Sequence, residues 1–173
     1  MILINNAGIQ TYGTVTETTE ELWDRTMNVN VKSMFLCSKL CIPLMTKSDN
    51  AVVINLSSVQ SFVTQKGVAA YATSKAAILG LTNSIAVDYA PHLRCVAICP
   101  GAVMSPMLAT VINEFANKEE VITETENIHL LKRIAHPDEI ADFILFAASN
   151  KARFMTGQHY RIDGGIGVEL GGR

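Results

Sequence analysis

Ala51-Val52-Val53-Ile54-Asn55-Leu56 is followed at once by Ser57-Ser58, and thirteen positions beyond Ser58 begins Tyr71-Ala72-Thr73-Ser74-Lys75. The first six residues form a short apolar run rich in β-branched side chains, which predicts a buried strand. From Ala69 to Tyr89 there is no proline, and Ala72, Ala76, Leu79, Asn83 and Ala86 recur at helical spacing until Pro91 ends the run. Ser57 and Ser58 therefore stand at the carboxyl end of a strand, where open parallel sheets bind ligands. Tyr71 and Lys75 lie one turn apart on one helix face. An ammonium beside a phenol favours the phenolate, so the spacing predicts a Tyr71 pKa drawn down toward neutrality. A tyrosine tuned in that way is a usable general acid or base, and Ser58 is placed to hold the oxygen that exchanges the proton. Alone, the Tyr-x-x-x-Lys pair reads as a partly exposed helix face and Ser58 as a cap or turn residue. The strand end and the helix together point to a site.

Reading outward, Ile2-Leu3-Ile4 is an apolar run ending in Asn5-Asn6-Ala7-Gly8, a buried strand running into a turn. Thr18 followed by Glu21 reads as a capping box that starts a helix carrying Trp23 and Met27. A second helix is expected from about Asn30 to Met45, kinked or ended by Pro43. Cys95-Val96-Ala97-Ile98-Cys99 is the next strand, closed by Pro100-Gly101, and Met107 to Phe115 a short helix. Residues 117–127 are polar and acidic with no clear core face. Pro137-Asp138-Glu139 opens a helix that runs to about Ala148: proline suits its first position and the carboxylates its positive end. Gln158 to Ile162 is the last strand, before a turn at Asp163-Gly164-Gly165. Strands alternating with helices predict βαβ units, a parallel sheet and helices on both faces.

The chain has 173 residues, 49% of them hydrophobic and 17% charged, with a net charge of −2. That composition supports one domain with a real core. It lacks a basic run for nucleic acid and an apolar stretch long enough to span a membrane. The start at Met1-Ile2-Leu3 carries no basic leader, and a cytoplasmic location is expected. Cys37, Cys41, Cys95 and Cys99 fall in two Cys-x-x-x-Cys pairs, which read as reduced structural cysteines in preference to metal ligands. The histidines are scattered and form no metal-binding pattern.

Taken in order, Asn5-Asn6-Ala7-Gly8, Asn28-Val29-Asn30-Val31, Ser58, Tyr71-x-x-x-Lys75, Pro100-Gly101 and Asp163-Gly164-Gly165 resemble the short-chain dehydrogenase/reductase family across the whole chain. The resemblance implies an α/β, Rossmann-like, doubly wound parallel sheet and use of NAD or NADP. It implies Tyr71 as the general acid/base and Lys75 on the nicotinamide ribose. Ser58 would lie on the substrate oxygen, and Asn30 would hold a water that links Lys75 to solvent. It also implies Asn5, Ala7 and Gly8 on the adenosine side of the cofactor, with Pro100, Gly101, Val103 and Ser105 near its nicotinamide and pyrophosphate. Residues 104–131 would form a lid. The helices holding Asn30–Met45 and Tyr71–Tyr89 would pair across a dyad in a dimer or tetramer.

The family's first half has no counterpart here. There is no Thr-Gly-x-x-x-Gly-x-Gly turn, and Gly164-Gly165-Ile166-Gly167 comes after the last strand, so it cannot open a phosphate-binding helix. The sheet is therefore expected to be incomplete, holding the family's fourth to seventh strands in a single partial domain of residues 1–173. Ile2-Leu3-Ile4 would be left as a bare apolar edge. The reading is of a piece of a longer protein or a misplaced start codon, ahead of a second polypeptide filling the gap. The chain alone is expected to bind NAD(P) weakly or not at all. In the full-length protein, hydride would pass between nicotinamide and a small secondary alcohol, ketone or sugar. The alternatives are a 3-oxoacyl-thioester reductase and, from another class, an inactive truncated subunit or binding module. A serine hydrolase fits less well, since Gly-x-Ser-x-Gly is absent.

Overall fold

A computed structural model describes residues 1–169. Its sheet has four parallel strands in the order β1 (Ile2–Asn5), β2 (Ala51–Leu56), β3 (Leu93–Pro100) and β4 (Gln158–Ile162). Every residue of β2 and nearly all of β3 are buried, as continuous apolar strands covered on both faces must be. Their side chains alternate between two cores. Ala51, Val53, Leu93 and Cys95 pack under α2 (Ser33–Met45) and α3 (Ala69–Tyr89) through Ile42, Met45, Ile85 and Ala86. Val52, Ile54, Val96 and Ile98 pack under α6 (Pro137–Ala148) through Ile140, Phe143 and Ala147. This is the Rossmann-like arrangement expected from the alternation of strands and helices, in a four-stranded form. β1 is an outer strand, and its Ile2 and Ile4 are about half exposed, as the apolar-edge reading required.

The helix start expected at Thr18 lies one residue later. Thr18 Oγ1 donates to the carbonyl of Thr14 within a turn, and Thr19 caps α1 (Glu20–Met27) by accepting from the N–H of Leu22 at 3.2 Å. Two separate helices were expected before residue 46, but the backbone is helical without a break from α1 into α2. They are joined by a π-helical turn over Asn28–Lys32, in which the N–H of Ser33 reaches back to the carbonyl of Asn28. A single π turn inserts one residue and rotates the helix beyond it. Pro43 sits in the last turn of α2, where it removes one i→i−4 hydrogen bond, and the helix ends two residues later.

On the far side of the sheet, α4 (Pro106–Glu114) is capped by Ser105 and α5 (Lys118–Asn127) by Asn117. The acidic segment without a core face is thus a helix, with none of its residues buried. His136 caps α6, and Glu139 returns a bond to the His136 N–H at 2.8 Å while Arg133 grips its carboxylate with two nitrogens. Those contacts hold the Glu139 carboxyl down at about 2. Arg94 ties β3 to the end of α6, donating to the carbonyls of Ala147, Ala152 and Met155. The turn at Asp163-Gly164-Gly165 has φ of 59° and 85° at its glycines, the left-handed conformation expected there.

Candidate active site

The carboxyl ends of β1, β2 and β3 open into one cleft of about 1200 Å³. Ser58 leaves β2 and caps a short 3₁₀ turn, Val59–Ser61, accepting from the N–H of Gln60 at 3.1 Å. Tyr71 and Lys75 come from the first turns of α3 and are 7% and 5% exposed. The Ser58 hydroxyl stands near enough to the Tyr71 phenol to favour its ionised form. Lys75 Nζ lies 5.7 Å from the centre of the Tyr71 ring and donates to the carbonyl of Leu56 at 3.0 Å. Ser57, next to Ser58, donates to the carbonyl of Lys75 at 2.7 Å, so strand end and helix are stitched together beside Ser58 and Lys75.

The electrostatics depart from what the four-residue spacing suggested. Burial raises the Tyr71 pKa above its ordinary value; the nearby Ser58 hydroxyl opposes this and the Tyr12 phenol adds to it. Burial also depresses Lys75, to about 8, against a smaller opposing effect of Cys99. The reason is geometric. The ammonium is turned to the Leu56 carbonyl, and the low-dielectric wall penalises both charged forms more than their mutual attraction repays. In this state the resting phenol is protonated.

Asn30 is wholly buried in the π turn. Its Oδ1 accepts from the N–H of Ile9 at 2.8 Å, and its Nδ2 donates to the Ile9 carbonyl and to Ser74 Oγ, each at 2.9 Å. The π turn therefore aims Asn30 at the loop after β1 and at α3 together. A Cβ placed on Gly8 would stand 3.3 Å from Lys75 Nζ and 3.4 Å from Asn30 Oδ1. Those two polar atoms thus border the same small space, which only a glycine leaves open.

The remaining expected positions divide. Gly8, Pro100, Gly101, Val103 and Ser105 line the cleft with Ser58, Tyr71 and Lys75. Asn5, Ala7 and Asn30 do not. The Asn5 side chain turns to the α2 and α3 face, where Nδ2 donates to Asn55 Oδ1 at 2.8 Å. Asn55 in turn donates to Thr82 at 3.0 Å, so Asn5 belongs to a buried amide ladder across paired strands. Ala7 is exposed, and its neighbour Asn6 lines the cleft instead. Ser105 serves as the cap of α4. The lid expected over residues 104–131 contributes Met107, Leu108 and Val111 to the wall, whereas Ile112 is packed inward.

Several lining residues carried no signal in the sequence. Gln10, Tyr12, Gln60 and Gln65 add polar groups to the cleft lining. Glu114 stands near enough to raise the Tyr12 phenol further above its ordinary pKa, after burial. Among the described lining residues, Lys75 is the one Asp, Glu, Lys or Arg. No group of three or more His, Cys, Asp or Glu able to hold a metal occurs among the described residues.

The ribose of a nicotinamide dinucleotide fits the donors that Lys75 offers. Lys75 keeps two of its three donors free of the Leu56 carbonyl. The backbone beside it is glycine at Gly8, and a Cβ at Gly101 would meet backbone and ring atoms at 2.9 Å. Glycines at such points allow close approach of a ligand or a neighbouring chain segment.

A parallel α/β sheet with a serine, a tyrosine and a lysine gathered at its carboxyl edge defines part of a Rossmann-like fold with a candidate site. Residues 1–167 match the family model described as "Enoyl-(Acyl carrier protein) reductase". The chain is 44% identical over 165 residues to an uncharacterized oxidoreductase of Thermotoga maritima, covering 95% of this chain and 66% of the relative. It is 39% identical to dehydrogenase/reductase SDR family member 6 of Xenopus laevis, covering 95% and 68%. The structure of Thermoplasma acidophilum aldohexose dehydrogenase in ligand-free form superposes with a TM-score of 0.96 at 37% identity, over 99% of this chain and 69% of that one. The chain belongs to the short-chain dehydrogenase/reductase family and spans about two thirds of the length of these relatives.

Proposed function

We propose that the whole protein is an NAD- or NADP-dependent oxidoreductase acting on the hydroxyl-bearing carbon of a small uncharged alcohol or sugar, or on the matching ketone. The observation that carries this reading is the gathering of Ser58, Tyr71 and Lys75 on one cleft wall, with Lys75 Nζ 5.7 Å from the centre of the Tyr71 ring. The bound dinucleotide supplies the hydride acceptor or donor. Lys75 holds its ribose through the two free donors of the ammonium. Ser58 Oγ binds the substrate oxygen, and Tyr71 Oη takes or gives that oxygen's proton. A protonated resting phenol suits the reductive direction at neutral pH, and alcohol oxidation gains as the pH rises. In this reading a water beside Lys75 and Asn30 would relay the proton outward.

The charge census of the cleft favours neutral substrates. A substrate carboxylate would find no arginine on the described wall, and the one cation there, Lys75, is taken up by the ribose, so its desolvation goes uncompensated. Two relatives bear names that agree: the Thermoplasma protein is an aldohexose dehydrogenase, and a Comamonas relative, 36% identical over 64% of its length, is a cyclopentanol dehydrogenase. The apolar wall of Met107, Leu108 and Val111 supports the second reading, a 3-oxoacyl-thioester reductase. Assembly as a dimer or tetramer through α2 and α3 is part of the proposal, supported by the exposed Phe35, Leu36, Leu40 and Leu44 of α2. So is a cytoplasmic location, supported by four unpaired cysteines. No described helix is long and apolar enough to cross a membrane.

The test is a panel assay on the complete protein with each nucleotide. A cyclic alcohol and an aldohexose should reduce the nicotinamide at least about tenfold faster than a hydroxy acid. Preference for the hydroxy acid, or a silent panel that includes the thioester, would defeat the proposal. The silent result would favour an inactive binding module.

A further inference from the structure

The segment leaving β3 is fastened at one residue from two sides. Ala102 donates its N–H to Nε2 of His129 at 3.1 Å, and its carbonyl accepts from the N–H of Ala135 at 3.0 Å. His129 lies just beyond α5, is 2% exposed, and has Nδ1 2.7 Å from the Thr125 carbonyl. A carbonyl only accepts and a backbone N–H only donates, so the ring proton sits on Nδ1 and Nε2 is the acceptor. This approach requires glycine on both sides. A Cβ on Gly101 would stand 2.9 Å from His129 Nε2, and one on Gly164 would stand 3.1 Å from Cδ2. The end of α5, the exit of β3 and the turn after β4 thus converge on one imidazole.

Gly101 and Val103, on either side of Ala102, line the cleft with Lys75, and α4 with its apolar wall starts directly after them. We propose that His129 is a positioning residue for the reaction. By accepting the Ala102 N–H it holds the Gly101–Val103 backbone and the start of α4 at a fixed depth over Tyr71 and Lys75. Nucleotide and substrate then meet in register. The proposal rests on the oxidoreductase reading of the cleft.

A packing role and a positioning role rank three variants differently. His129→Phe fills the space without an acceptor. His129→Asn keeps a donor for Thr125 but stops short of Ala102. His129→Gln carries an oxygen about as far as Nε2. Two measurements on the complete protein decide: steady-state kinetics with an alcohol the parent turns over, and hydrogen exchange at the Ala102 amide without ligand. Gln should lose least. Phe and Asn should lose about tenfold or more in kcat/KM, mainly through KM for nucleotide and alcohol, the size of one backbone hydrogen bond. Ala102 exchange should quicken by about the same factor in Phe and Asn, while the Val96 amide in β3 stays protected.

Phe performing as well as the parent, or faster Ala102 exchange with unchanged kinetics, would overturn the proposal. Should none of the variants fold, nitrogen NMR of the parent decides: a proton on Nε2 is incompatible with the latch. Tyr71→Phe, run alongside, separates the two claims. If it retains turnover, the reading of the cleft fails, whereas the exchange and tautomer data still report on the latch itself.

Discussion

Lys75 should cost the fold stability at neutral pH, and replacing it with methionine should return that stability. The residue is 5% exposed, and burial carries its pKa from 10.5 to about 8. At about 1.4 kcal/mol per unit, that drop corresponds to about 3 kcal/mol of penalty on the charged form. Lys75→Met keeps the apolar stem and removes the charge. It also removes the bond to the Leu56 carbonyl, which offsets about 1 kcal/mol. The net gain is about 2 kcal/mol at pH 7. The pH window comes from the same shift. Below pH 8 folded and unfolded chains both hold the proton, and the penalty is complete. Between about 8 and 10.5 the folded amine is neutral while the unfolded one still binds a proton, so parent stability rises with pH relative to the variant. Above 10.5 the charge penalty is gone. Urea unfolding of parent and Lys75→Met across that range reads the difference directly. A variant less stable than the parent at pH 7, or a gap that does not narrow above pH 8, would refute the reasoning. Such a gain would mark Lys75 as a group kept for chemistry at the expense of the fold.

Asn5→Ala should destabilise by about 1–3 kcal/mol, because Asn55 Oδ1 loses its buried donor; the urea midpoint should fall while KM for nucleotide stays put, and the reverse pattern would return Asn5 to the cofactor. Leu40→Glu, at a residue 73% exposed on α2, should split the proposed oligomer in light scattering without loss of helix, since a carboxylate cannot be buried there unpaired; a parent that is already monomeric removes that part of the proposal.

Much of the scaffold could be read from the chain because its signals are local. The β-branched run at 51–56 and the proline-acidic start at 137–139 give β2 and the start of α6 to the residue. The π turn at Asn28–Lys32 could not be read, since a bond from residue 33 to residue 28 leaves no composition or spacing behind. The direction of Asn5 was within reach: it lies two residues beyond Leu3, which packs under α2, so strand alternation sends both to the same face. Spacing placed Tyr71 and Lys75 on one face but could not show that both are buried, and burial reverses the expected pKa shift of the phenol while Nζ turns to a strand carbonyl. His129 was hidden because its partners, Thr125, Ala102 and the Gly164 turn, come from three segments that meet only in the fold.

The central claim is that the Tyr71 hydroxyl moves the proton. Its most direct test is Tyr71→Phe in the complete protein, with nucleotide binding and alcohol turnover measured on the same preparation. Loss of the hydroxyl should leave the fold and nucleotide binding in place and lower turnover by about a thousandfold. Turnover equal to that of the parent would contradict it.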